Sequence, residues 1–97
     1  MLETFTLETF AGHEGESFII RLDDGGVLET RLASARAWGS GSANHRVPFT
    51  LTFVAPGTFM LPQRIYRVEH EAIGAFEIFL VPVGPGPDGM QYEAVFT

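Results

Sequence analysis

The chain has 97 residues, a net charge of −6 and no cysteine. This length predicts a single domain spanning residues 1–97, and the lack of cysteine excludes disulfides, thiolate metal ligands and a cysteine nucleophile. All six basic residues are arginines dispersed along the chain, which argues against nucleic-acid partners and against an anionic membrane surface.

The first elements in the chain are a short helical turn and a hairpin. Leu7 and Phe10 have helical spacing and Thr6 is a candidate cap, whereas residues 12–15 break the pattern. Residues 17–22 and 27–38 alternate like strands and flank the sequence Asp23-Asp24-Gly25-Gly26, which is typical of a hairpin turn. We therefore expect a helical turn followed by two antiparallel strands.

The alternation within residues 27–38 assigns two faces to the second strand. One face carries Leu28, Thr30, Leu32, Ser34 and Trp38. The other face carries Glu29, Arg31, Ala33, Ala35 and Ala37.

Four further strands follow a Gly- and Ser-rich loop at residues 39–46. They are predicted at residues 49–54, 65–68, 75–83 and 90–96, and the last two form a hairpin around a Gly-Pro-rich turn at 84–89. Pro82 lacks an amide donor and should lie at an edge or a bulge. The sum is an all-β fold, a small antiparallel barrel or sandwich of six to seven strands.

No motif in the chain predicts catalysis, a cofactor or a metal. His13, His45 and His70 lack metal-binding spacing, and we expect them to be exposed turn residues. The alternative is a ligand set assembled only in the fold. The 23–26 turn lacks the calcium-loop ligands, and the 84–89 turn lacks the helix and lysine of a phosphate loop. We therefore expect no enzymatic activity; the competing hypothesis is a hydrolase in which His70 pairs with a carboxylate in a cleft.

Apolar residues beside turns suggest a protein-contact surface. The candidates are Trp38, Phe59, Met60 and Leu61, and burial in the core is the alternative for each. The partner would be another protein or a second copy, bound through this patch or by adding a strand to an open sheet edge. A second hypothesis is a barrel that binds a small ligand or carbohydrate, with Trp38 and either Tyr66 or Tyr92 stacking on it.

Residues 61–96, LPQRIYRVEHEAIGAFEIFLVPVGPGPDGMQYEAVF, resemble a bacterial family of small uncharacterised domains. The signature of that family reads LPQGIYRLEHPALGEFELFLVPVG, then DGMRYEAVFN. The resemblance covers nearly the whole chain and implies no catalytic residues. It also implies an association with fibre proteins of the phage tail-collar type, and hence a structural or assembly role.

The N-terminal sequence lacks a basic and apolar signal segment. The longest nearly apolar run, residues 75–83, is too short to span a bilayer. The expected location is the cytoplasm, with incorporation into a particle as a further possibility.

Overall fold

The computed structural model describes residues 5–39, 47–57 and 59–97, which form one short helix and six strands. These elements are α1 (Leu7–Ala11), β1 (Ser17–Arg21), β2 (Val27–Ala37), β3 (Phe49–Ala55), β4 (Arg64–His70), β5 (Gly74–Gly86) and β6 (Gly89–Phe96). The predicted helical turn, the hairpin at residues 23–26 and the closing hairpin are confirmed.

The strands form a closed antiparallel barrel in the order β1-β2-β3-β6-β5-β4. The barrel closes where Ile19 and Ile20 of β1 pair with Glu69 and Val68 of β4. Closure confirms the barrel over the sandwich. It also argues against strand addition, because each of these six described strands pairs with a neighbour on both sides.

Alternating side chains fill the barrel. In β1 and β4, every second residue points inward, as the period of two requires. Each such apolar side chain stabilises the fold by about 1.5–3 kcal/mol relative to exposure. The largest fully buried members are Tyr92, Phe10, Phe18, Phe49, Phe53, Ile20, Leu32, Leu51, Leu80 and Val68.

A β-bulge in β2 changes which residues face outward. The register between β2 and β3 shifts between Leu32 and Ser34, so Ala33 is the extra residue. Beyond the bulge, Ala35 packs against the core, whereas Ser34 and Trp38 lie on the outside. The single alternation predicted for residues 27–38 is therefore wrong after Ala33, because a bulge adds one residue and reverses the faces.

The closing hairpin also contains a bulge, between Pro82 and Gly84, which confirms the position predicted for Pro82. The strands run further than expected, so that the turn itself is only Pro87 and Asp88. Gly89 has φ +138°, and a β-carbon there would collide with the carbonyl oxygen of Ala55. Glycine is therefore required where the hairpin crosses the end of β3.

The two ends of the barrel are covered differently. At the helical end, α1 places Phe10 against the barrel mouth, where its ring contacts the rings of Phe5, Phe18, Phe49, Phe76 and Phe96. At the loop end, the segment between β3 and β4 inserts Leu61, which is 5% exposed. Among the described residues, no helix is long and apolar enough to cross a membrane.

Candidate functional site

Three titratable side chains meet at the helical end of the barrel. Glu16 Oε1 lies 2.8 Å from His13 Nδ1 and 2.7 Å from His70 Nε2. The two imidazole rings are edge to face, with centroids 4.6 Å apart. We call these residues the His–Glu–His cluster.

The strand pattern explains how residues so far apart in sequence reach one point. Tyr66, Val68 and His70 alternate inward along β4, so His70 lies on the core face at the end of that strand. Its ring stacks on Phe18 of β1, with centroids 4.4 Å apart. Glu16 is two residues before Phe18 and therefore shares its face of the chain, at the barrel mouth beside His70.

The hydrogen bonds of His70 determine its tautomer. Nδ1 accepts the backbone N–H groups of Ala72 and Ile73, at 3.0 and 3.1 Å. Nε2 is consequently the protonated nitrogen and donates to Glu16. Both ring nitrogens are then occupied, so that neither has a free lone pair to act as a general base.

The same geometry disfavours a metal centre. The ligand atoms of His13, Glu16 and His70 lie within 4.8 Å of one another. A histidine that binds a metal through Nε2 normally carries its proton on Nδ1 and donates it. In His70 that proton would face two backbone N–H donors. The chemistry of the donor set therefore favours a hydrogen-bonded His–Glu–His cluster over a metal site.

A carboxylate–histidine pair in a cleft is what the hydrolase hypothesis required, and the pair exists. It borders a depression of about 640 Å³ lined by Glu16, Ser17, Ile19, Glu69, His70 and Glu71. The Ser17 hydroxyl in this depression instead donates to Glu29 at 2.7 Å. Both His70 nitrogens are engaged in other hydrogen bonds among the described residues, and His70 is therefore not placed to activate this hydroxyl.

Backbone contacts show that the cluster fastens residues 12–16 to the barrel. Gly15 N–H donates to Leu32 O, Leu32 N–H donates to Glu16 O, and Ala35 N–H donates to the Glu14 carboxylate at 2.7 Å. These bonds hold both sides of the β2 bulge. Hydrogen bonds from His70, and to a smaller extent from His13, lower the pKa of Glu16 below its ordinary value of 4.5. The His–Glu–His cluster therefore holds an ionised carboxylate at neutral pH.

The prediction that the histidines are exposed is wrong for His70, whose side chain is only 3% exposed. His13 is partly buried, at 28%, and His45 lies outside the described residues. No sequence motif indicates a role for Glu16. The missed signal was the alternation of Tyr66, Val68 and His70 on one face.

The loop end holds the predicted contact residues. Phe59 is 67% and Met60 55% exposed, whereas Leu61 is buried, which corrects its assignment to the contact surface. Tyr92 from inside the barrel accepts the Leu61 N–H at 2.9 Å through its hydroxyl, which donates to Phe59 O at 3.4 Å. Two apolar side chains are thus presented on a backbone that the core fixes. We call Phe59 and Met60 the apolar loop.

The aromatic residues proposed for ligand stacking fall into two groups. Tyr92 is fully buried and Tyr66 is 7% exposed, with its hydroxyl donating to Pro62 O at 2.6 Å. Neither ring face is therefore available to a ligand, which corrects that part of the ligand-barrel hypothesis. Trp38 is 55% exposed on the outer wall.

The fold defines a small six-stranded antiparallel barrel covered by a helical turn at one end and by an anchored loop at the other. Residues 5–96 match the family described as Domain of unknown function (DUF6916), and the chain belongs to this family. No curated protein and no solved structure shows significant similarity to the chain.

Proposed function

We propose that this domain is a non-enzymatic module that binds another protein through the apolar loop. The observation that carries the proposal is the exposure of Phe59 and Met60 on a fixed backbone. Large apolar side chains that are already ordered lose little conformational entropy on binding, and they are typical anchors of protein interfaces.

The charges around the loop indicate the kind of partner. Phe59 shares a depression of about 240 Å³ with Asp23, Asp24 and Arg64. Asp23 is neutralised by Arg64, at 2.8 Å, but Asp24 makes no ion pair with any residue in the described ranges. Since the whole chain carries a charge of −6, a second copy would be repelled. The partner we propose is a protein with an apolar pocket bordered by basic residues.

The setting we propose is the assembly of a fibre or tail-like particle, with the domain acting in the cytoplasm or within the particle. This setting is supported by the association that the sequence resemblance implies. An assembly role also suits a rigid barrel whose anchored loop needs no rearrangement to bind.

The test is a pull-down from the native host with three baits, analysed by mass spectrometry. The baits are the wild type, the double variant Phe59→Ser/Met60→Ser, and Ile65→Ser as the matched control. Ile65 is 63% exposed on the barrel wall, so its change removes similar apolar surface elsewhere. We expect a partner that the wild type and Ile65→Ser retain and the double variant loses.

The captured partner is then purified and its affinity measured at rising salt. Affinity should fall with ionic strength, because exposed charges are screened. Equal capture by all three baits would overturn the proposal, as would unfolding of the double variant in circular dichroism, since the residues would then be core. Light scattering of the wild type should show a monomer. If it shows a dimer that the double variant cannot form, the apolar loop binds a second copy of the chain and not a basic partner.

A further inference from the structure

A second surface lies on the outer wall of the barrel, over β2, β3 and β6. It is a groove of about 320 Å³, which we call the Trp38 groove. Trp38 follows the end of β2 at the helical end, whereas the apolar loop covers the loop end. The two surfaces are therefore separate. The groove is lined by Ser34, Arg36, Ala37, Trp38, Thr50, Thr52 and Glu93.

Strand register arranges these side chains in two rows. Adjacent strands are about 4.8 Å apart and successive outward residues about 7 Å apart, so two rows across three strands cover roughly 10 by 7 Å. The first row consists of Ser34, Thr52 and Glu93. The second consists of Arg36, Thr50 and Val95.

Trp38 stands beside this platform in a fixed position. Its backbone N–H donates to Pro48 O at 3.1 Å, while its side chain remains 55% exposed. Arg36, one turn of the pleat away, makes no ion pair or hydrogen bond within the described part of the chain. The groove therefore combines the exposed side chain of Trp38 with one guanidinium and three hydroxyls.

The geometry points to a saccharide as the ligand of the Trp38 groove. The indole face would stack on the apolar C–H face of a pyranose ring, and the surrounding groups match its hydroxyls. Ser34, Thr50 and Thr52 both donate and accept hydrogen bonds, Arg36 donates and Glu93 accepts. The volume is at the lower end for small-ligand sites, which suits one or two sugar rings.

Other ligand classes match the groove less well. A nucleic acid would also stack on Trp38, but Glu93 and the charge of −6 repel its phosphates. A protein interface would need a larger apolar centre than one tryptophan and one valine. Arg36 adds a preference within the proposed class, because it can pair with the carboxylate of an acidic sugar.

The fluorescence of Trp38 provides the test, since it is the only tryptophan in the chain. Purified protein is titrated with cellohexaose, chitohexaose and hexagalacturonate as neutral, N-acetylated and acidic probes. We expect at least one probe to shift or quench the emission in a saturable way. Strongest binding by hexagalacturonate, weakened selectively by Arg36→Gln, would identify the acidic class.

Variants measured by calorimetry separate stacking from other contacts. Trp38→Ala should lower the affinity about tenfold or more, and Trp38→Phe should restore part of it. The Phe59→Ser/Met60→Ser variant should bind the saccharide probes with the affinity of the wild type. Failure of the protein-contact proposal can therefore be told apart from failure of the saccharide proposal. Absence of saturable binding by all three probes would overturn the inference. The inference would also be overturned if Trp38→Ala bound the saccharide probes with the affinity of the wild type. Loss of the captured partner protein from a Trp38→Ala bait would likewise overturn it.

Discussion

The two ends of this barrel are closed by different groups. Each end needs an apolar plug and hydrogen bonds that hold it. At the helical end, Phe10 is the plug and the ionised carboxylate of Glu16 makes the hydrogen bonds. At the loop end, Leu61 is the plug and the Tyr92 hydroxyl makes them. The plug at the helical end should therefore respond to acid, because an ionised carboxylate holds it, whereas the hydrogen bonds at Leu61 involve no carboxylate.

The pKa directions support this contrast. Hydrogen bonds from the histidines lower the pKa of Glu16, whereas burial raises the pKa of Tyr66 above its ordinary value of 10.0. The hydrogen bonds that hold the loop presenting Phe59 and Met60 come from hydroxyl and backbone groups.

The largest expected effect is at the helical plug. Phe10→Ala removes a fully buried ring that contacts five others and should destabilise the protein by about 3–5 kcal/mol. Leu61→Ala at the loop end removes fewer atoms and should cost less than Phe10→Ala, within the range of about 2–5 kcal/mol. Urea denaturation measures both. A greater loss for Leu61→Ala would mean that the loop end, and not the helical end, carries the main plug.

The next effect separates the two tyrosine hydroxyls. Tyr92→Phe leaves the buried N–H of Leu61 without its partner and should cost about 1–3 kcal/mol. Tyr66→Phe is the matched control, because the carbonyl it releases belongs to exposed Pro62 and water can replace the hydroxyl. Equal losses in urea denaturation would show that the Leu61 N–H finds another partner.

The smallest expected effect is the loss in acid of the stability that Glu16 of the His–Glu–His cluster contributes. Because the pKa of Glu16 is lower in the folded protein than its ordinary 4.5, its contribution is present above that value. It is lost as pH falls through the lowered pKa. Glu16→Gln should therefore be less stable than wild type near neutral pH, and the difference should shrink with acid.

Hydrogen exchange followed by NMR locates that response. As the pH falls below 4.5 and through the lowered pKa of Glu16, the protection of Gly15 and Leu32 should fall in the wild type before that of Leu61. The control is Glu69→Gln, because Arg21 likewise lowers the pKa of Glu69. Glu69 borders the same depression, but its carboxylate pairs with Arg21 and Arg67 rather than with residues 12–16. An equal response at Leu61 would contradict the contrast between the ends.

Local patterns in the sequence predict most of the fold. Turn chemistry at residues 23–26 and alternation at 49–54 and 90–96 specify antiparallel strands, because glycine permits the turn and apolar alternation requires one buried face. These signals lie within a few residues of each other, so no tertiary information is needed to read them.

The candidate sites are less predictable because they depend on distant contacts. Sequence placed Phe59 and Met60 beside a turn, but their exposure and the burial of Leu61 depend on Tyr92, more than thirty residues away. The bulge that turns Arg36 and Trp38 outward is held by residues 14–16, and nothing around Ala33 signals it.

The class of protein follows from the sequence alone: an all-β domain with a helical turn, six to seven strands and no cysteine chemistry. Closure of the sheet into a barrel and the meeting of His13, Glu16 and His70 follow only from the three-dimensional fold. The fold also decides which faces of β2 reach solvent. The physical reason is that closure, bulges and side-chain clusters depend on pairing between distant strands, whereas turns and alternation act between neighbours.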